Sequence, residues 1–130
     1  MKNNILILSS FLLFSCSDFY QPAVVSARKE ATQIGLEIMK NGGNAYDAMI
    51  ATHLALAVVH PTAGNIGGGG FFVYHDKDGS SGSLDFREMA PEKAFKDMYL
   101  DENGDVIPDM STLGGAAVGV PGSISAIYKI

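Results

Sequence analysis

Asp85-Phe86-Arg87-Glu88 places three charged side chains in four residues. In an extended strand Asp85 and Arg87 point to one face, and Phe86 and Glu88 to the other. Phe86 then reads as a core residue. Arg87, near a strand end, can present a planar fork of donors to a carboxylate. The same four residues also describe a structural ion pair of Arg87 with Asp85 or Glu88. Taken alone, they favour that simpler reading.

The other chemically suggestive stretches carry less. Gly67-Gly68-Gly69-Gly70 invites a phosphate-binding reading, but such loops run strand, glycines, helix, so that amides at a helix start face the anion. Here an apolar helical stretch precedes the glycines and a strand candidate follows, and no Gly-Lys-Ser or Gly-Lys-Thr appears. Close backbone packing is the simpler expectation. Asp101-Glu102-Asn103-Gly104-Asp105 hints at calcium, yet its glycine comes two positions too early for a calcium-binding helix-loop-helix, so a hydrated turn is expected. His53, His60 and His75 share no face at metal-ligand spacing, and no cysteine pairs with them. His53 is expected as a hydrogen-bonded core residue, and no metal site is expected.

These residues need elements to position them. Ser26 is a candidate N-cap, with Glu30 in the first turn and Ala27, Ala31, Ile34, Ile38 and Met39 at helical spacing. Asn41-Gly42-Gly43 supplies the stop. Asn44 can cap a second helix, with Asp47 three residues on. From Ala45 to Val59 almost every residue is apolar or small, which predicts a helix buried on several sides; His60-Pro61 ends it. Phe71 to His75 and Ser83 to Arg87 predict a hairpin around the turn-rich Asp76 to Gly82. Met89 to Tyr99 reads as loop with a short helix starting near Pro91. Leu100 to Met110 reads as a polar turn. Ser123 to Ile130 reads as a helix capped by Ser123, with Ile124, Ile127 and Tyr128 on one face.

The 130 residues are 47% hydrophobic and 18% charged, an ordinary globular balance. A net charge of -5 without Lys or Arg runs excludes a nucleic-acid partner on electrostatic grounds. Residues 1–16 read as an export signal: Lys2, then an apolar run from Ile5 to Phe14 too short to cross a bilayer, then Ser15-Cys16. Leu13-Phe14-Ser15-Cys16 resembles a bacterial lipoprotein box, with Cys16 lipidated and the protein anchored to a membrane. The alternative is an ordinary signal cut just after Cys16 or Ser17. Either way export to the periplasm or a membrane surface is expected. Residues 17–22 form a tether, and the lone cysteine excludes an internal disulfide.

Six blocks, read in order, resemble the gamma-glutamyltranspeptidases. They are Gly42-Gly43-Asn44-Ala45 with Asp47-Ala48; Val58-Val59-His60-Pro61; Ala63-Gly64-Asn65-Ile66-Gly67-Gly68-Gly69-Gly70-Phe71; Asp85-Phe86-Arg87-Glu88-Met89-Ala90-Pro91; Asp97-Met98-Tyr99-Leu100-Asp101; and Val118-Gly119-Val120-Pro121-Gly122. The resemblance spans residues 23–130 and corresponds to the N-terminal part of that family's large subunit.

The resemblance implies an α/β (α+β) N-terminal-nucleophile hydrolase fold, a four-layer αββα sandwich of which this chain is the first portion. It implies a precursor that cuts itself into two subunits. The small subunit's new N-terminal Thr attacks the gamma-glutamyl amide of glutathione or a related compound. The glutamyl group then passes to an amino acid, a peptide or water, and no cofactor is implied. Arg87 matches the family arginine that pairs with the substrate alpha-carboxylate, with Glu88 in a supporting role. Thr112 lies in a different motif context from the nucleophile, which is expected beyond residue 130. The chain therefore reads as a truncated gene, an incomplete sequence or a pseudogene, inactive and unstable alone. Two alternatives remain: a cephalosporin or glutaryl acylase of the same superfamily, and a non-catalytic exported lipoprotein remnant.

Overall fold

The computed structural model describes residues 21–64 and 66–130. The signal at 1–16, Cys16 and most of the tether lie outside the described residues.

Helix α1 runs Lys29–Lys40 and helix α2 runs Ala45–Val59. The N-cap of α1 is Arg28, not Ser26, and no side chain caps it. The Ser26 hydroxyl instead donates to the Arg28 carbonyl at 2.8 Å, forming a local turn just ahead of the helix. The expected apolar stripe is shifted. Ala31 and Gly35 are the fully buried positions, while Ile34 is exposed and Ala27 precedes the helix. Small residues win there because α1 rides close on α2. A Cβ at Gly35 would collide with Thr52 Oγ1 and lie 3.2 Å from the Ala48 carbonyl.

The junction between the helices follows the sequence. Gly42 takes φ +96°, a conformation that suits glycine, and the Gly43 N–H returns to the Ile38 carbonyl at 3.0 Å. Asn44 Oδ1 accepts from the N–H groups of Tyr46 (2.7 Å) and Asp47 (3.0 Å), while Asp47 Oδ2 accepts from the Asn44 N–H at 2.9 Å. This reciprocal box satisfies the orphan amides at the start of α2. Helix α2 is not buried all round among the described residues. Ala48 and Thr52 are covered, but Leu54 and Val58 are exposed. Its neighbours, α1 and the hairpin, leave the remaining flank open.

Strands β1 (Phe71–His75) and β2 (Ser81–Asp85) form an antiparallel hairpin with Phe71 opposite Asp85 and His75 opposite Ser81. The second strand starts and ends two residues earlier than the sequence predicts. The Asp76–Ser80 loop is tight enough to close the turn early: the Asp76 N–H reaches the Ser80 carbonyl at 2.8 Å, and Gly79 takes φ +87°. Strand pairing therefore ends just before Arg87. Phe72, Tyr74, Gly82 and Leu84 form the partly covered face, while Phe71, Val73 and Asp85 lie on the open one. Tyr46 of α2 packs on Phe72 and Tyr74, and its hydroxyl donates to both Asp76 carboxylate oxygens at 2.9 and 2.8 Å. One side chain thus ties α2 to the hairpin loop.

No α-helix forms over 89–99. The Ala94 N–H to Pro91, Met98 N–H to Phe95 and Leu100 N–H to Asp97 bonds are isolated turns. Phe95 stays exposed, so no buried face offsets the cost of nucleating a helix. The polar turn is present: Asp101 Oδ1 accepts from the N–H groups of Asn103 and Asp105 at 2.9 Å each, which lowers its pKa. Those bonds occupy the carboxylate with backbone donors.

A 3-10 turn at Gly115–Ala117 leads to helix α3, Ser123–Lys129. Ser123 lies inside α3 as a buried residue rather than capping it; the N-cap is Gly122. Ser123 and Ala126 form the buried face with Ile127 half-buried beside them, while Ile124 and Tyr128 point outward, so the expected face of Ile124, Ile127 and Tyr128 is split.

Among the described residues, the fully buried apolar ones are Ala31, Ala48 and Ala126, none of them large. Between α2, the hairpin and α3 lies a cavity of about 450 Å³ lined by Thr52, Leu56, Phe72, Phe86 and Ile127, among others. Burial on this scale among the described residues gives little to set against the entropy of ordering them. The purified chain on its own should therefore melt without a cooperative transition in calorimetry; a sharp transition would contradict that. Tyr46 yields a second expectation. The Asp76 carboxylate that accepts its proton pushes its pKa from 10.0 to about 12. A raised pKa contributes stability in full below pH ~10 and loses it as pH rises through about 12. In the full-length protein, the ultraviolet difference titration against Tyr46→Phe should show a phenol titrating well above an ordinary tyrosine. Asp76→Asn should bring it down.

Candidate functional site

The site is built around the segment that follows β2. The Phe86 N–H still bonds to the Gly70 carbonyl at 3.0 Å, so pairing reaches one residue past the strand. Met89 then pairs with Val120, through bonds of 3.1 and 2.8 Å. Residues 86–89 therefore lie between the glycine run on one side and the Val118–Gly122 segment on the other.

Both flanks approach through glycines. A Cβ at Gly69 would come within 2.8 Å of Arg87 Cα and Glu88 N. A Cβ at Gly122 would collide with the Phe86 carbonyl oxygen, and one at Gly119 would sit 3.1 Å from Glu88 Cβ. The N–H groups of Gly122 and Ser123 both donate to the Gly68 carbonyl, at 2.9 and 3.1 Å. None of the described glycines in the 67–70 run has a positive φ. They are needed for proximity, as the order of elements predicts, and not for unusual dihedrals.

Arg87 emerges from this clamp. Its own N–H donates to Asp85 Oδ1 at 2.9 Å, so Asp85 serves the Arg87 backbone and makes no ion pair with its guanidinium. Arg87 Nε lies 3.7 Å from Glu88 Oε2, with the Arg87 side chain 64% exposed. That is a single, loose, solvated contact of little energetic weight. The guanidinium carbon stands 5.8 Å from the centre of the Phe71 ring. A cavity of about 340 Å³ adjoins the segment, lined by Asp85, Arg87, Pro121, Ser125 and Lys129, among others. The geometry leaves the outer edge of the guanidinium, the part that makes paired bonds to a carboxylate, without a carboxylate partner among the described residues.

The histidines do not gather here. His75 Nδ1 lies 2.7 Å from Ser81 Oγ on the hairpin. His53 Nε2 is buried with no hydrogen-bond partner, which corrects the expectation of a bonded core histidine. Its neighbours across the 450 Å³ cavity are mostly hydrocarbon. Sequence reasoning also missed Phe71 as a neighbour of Arg87 and Gly122 as a neighbour of Phe86. Phe71 was legible in principle, because a corrected hairpin register sets it opposite Asp85.

The family model described as Gamma-glutamyltranspeptidase matches residues 31–130. The chain belongs to the gamma-glutamyltranspeptidase family. A glutathione hydrolase proenzyme of Pseudomonas sp. (strain A14) is 54% identical over 104 residues, 80% of this chain and 18% of that protein. The counterpart from Escherichia coli (strain K12) is 49% identical over 105 residues, 81% of this chain and again 18% of the relative. The chain thus spans about a fifth of the length of these relatives. The crystal structure of Helicobacter pylori gamma-glutamyltranspeptidase superposes with a TM-score of 0.80 at 46% identity, covering 88% of this chain and 33% of that one. The fold is that of the N-terminal-nucleophile hydrolases of this family, of which the described residues form a small mixed helix and strand piece.

The glycine clamp has a measurable consequence. Gly122→Ala in the full-length protein must push the Phe86 carbonyl away, since backbone cannot step aside cheaply. Overpacking of this kind costs about 1–3 kcal/mol. A fall in melting temperature is expected, and an unchanged one would show that the segment tolerates displacement.

Proposed function

We propose that this chain forms part of the donor pocket of a gamma-glutamyltransferase and glutathione hydrolase, with Arg87 binding the alpha-carboxylate of the gamma-glutamyl group. The observation that carries the reading is the outward-facing guanidinium of Arg87, borne on a backbone held by the glycine clamp, whose one ionic contact among the described residues is the loose one to Glu88. Family membership supplies the reaction class.

Arg87 binds one end of the substrate and does no proton transfer. Its fork fixes the alpha-carboxylate, so the gamma-amide, three carbons along the glutamyl chain, falls at a set distance from the clamp. Orientation of this sort converts a bimolecular encounter into a positioned one. The attacking group is the N-terminal Thr of a small subunit released from the same precursor. Its hydroxyl adds to the gamma-carbonyl while its own amine takes the proton. The departing amine is then protonated, leaving a glutamyl ester. An amino acid, a peptide or water next attacks that ester and frees the threonine. Glutathione and related gamma-glutamyl compounds are the donors of this reading. Glu88, resting against Nε, helps to aim the fork.

Export belongs to the same proposal and rests on residues 1–16: Lys2, the apolar run and Cys16 as the lipidation point of a periplasmic or membrane-anchored enzyme.

Arg87→Ala in the full-length enzyme should raise KM for glutathione steeply. Loss of a charged clamp is worth on the order of 2–5 kcal/mol, about thirtyfold or more in KM. Arg87→Lys should recover only part of this, because an ammonium lacks the planar fork. An unchanged KM in Arg87→Ala would remove Arg87 from the pocket.

A further inference from the structure

Phe71 is a large apolar residue on the open face of the hairpin, 65% exposed among the described residues. Its position is nevertheless tightly determined. The preceding Gly70 lies against the Phe86 ring, where a Cβ would sit 3.2 Å from the nearest ring carbon. Strand register sets Phe71 opposite Asp85, and Arg87 follows two residues later on the same side. The Phe71 ring centre is 5.8 Å from the guanidinium carbon of Arg87, within the range where the negative face of a ring attracts a cation. Three contacts therefore converge on Arg87. Asp85 holds its N–H, Glu88 rests near Nε and Phe71 offers a ring to its guanidinium.

We infer that Phe71 is a positioning residue for Arg87, an aromatic platform that holds the guanidinium in the orientation that receives the substrate carboxylate. The inference rests on the reading of Arg87 as the carboxylate clamp. A long arginine side chain loses rotamer freedom when it engages a ligand, and a platform that restricts it beforehand lowers that cost. Phe71 touches no reacting atom in this scheme, and its effect falls on binding.

The test uses the full-length enzyme with L-gamma-glutamyl-p-nitroanilide as donor, reading KM and kcat separately. Phe71→Leu keeps the bulk and removes the ring. It should raise KM roughly two- to fivefold, as expected for an exposed cation–ring contact, and leave kcat nearly unchanged. Phe71→Tyr should restore KM. Incorporation of 3,4,5-trifluorophenylalanine at position 71 preserves ring shape while weakening its negative face, so it should raise KM in the same direction even if the leucine variant folds poorly. In an Arg87→Ala background, Phe71→Leu should add nothing. If Arg87→Ala raises KM but neither Phe71→Leu nor the fluorinated ring does, Phe71 is no platform. An equal Phe71→Leu effect with and without Arg87 would make its role structural and would also overturn the inference. If Arg87→Ala itself leaves KM unchanged, the clamp reading falls and takes this inference with it.

Discussion

The arrangement around Arg87 depends on one constraint: three stretches of backbone must pass each other with no side chain between them. Gly69 on one side and Gly122 on the other press against Phe86–Glu88 at distances that leave no room for a Cβ. Van der Waals contact of this closeness is stiff, because backbone has no rotamer through which to relax. The two amides donated to the Gly68 carbonyl lock the glycine run to the start of α3. The result is a small rigid shelf made of poor structural material, glycine, whose value here lies in what it lacks.

Around that shelf the packing is thin. The covered apolar residues are alanines, and the larger side chains line a cavity or face solvent. Helix α2 makes the contrast plain. Its start is held by the Asn44–Asp47 box, and Tyr46 binds it to the hairpin loop, yet Leu54 and Val58 stand exposed. Local hydrogen bonding is well developed where tertiary burial is not. Helix ends can be settled by residues a few positions apart, whereas an apolar helix flank needs partners that local sequence does not supply.

Electrostatics at the site separates backbone work from side-chain work. Asp85 and Arg87 are the pair that a strand pattern would join as ions, but Asp85 spends its carboxylate on the Arg87 N–H. The same habit recurs at Asp78 and Asp101, each holding nearby amides and each lowered in pKa by those donors. Among the described residues, Asp78, Asp85 and Asp101 thus shape local backbone rather than pair with cations. Arg87 is thereby left with Glu88 at 3.7 Å and the Phe71 ring, and with its fork facing outward.

Local signals in the sequence settled much of what depends on neighbours within about one helical turn, though not the caps expected at Ser26 and Ser123. The α2 boundaries, the Gly42 stop, the hairpin and the turn at Asn103-Gly104 all follow from caps and turn residues. The motif blocks likewise settled the family, because six spaced patterns in register leave little room for coincidence. Tertiary structure decided the rest. It chose Ala31 and Gly35 over Ile34 because α1 lies too close to α2 for a larger side chain. It left His53 Nε2 without a partner, buried Ser123 inside α3 and ended β2 before Arg87. It also brought Phe71 and Gly122, one before and one far after Arg87 in the chain, to the same place. Such choices turn on distances between segments remote in sequence, and no local pattern encodes how near two backbones will come.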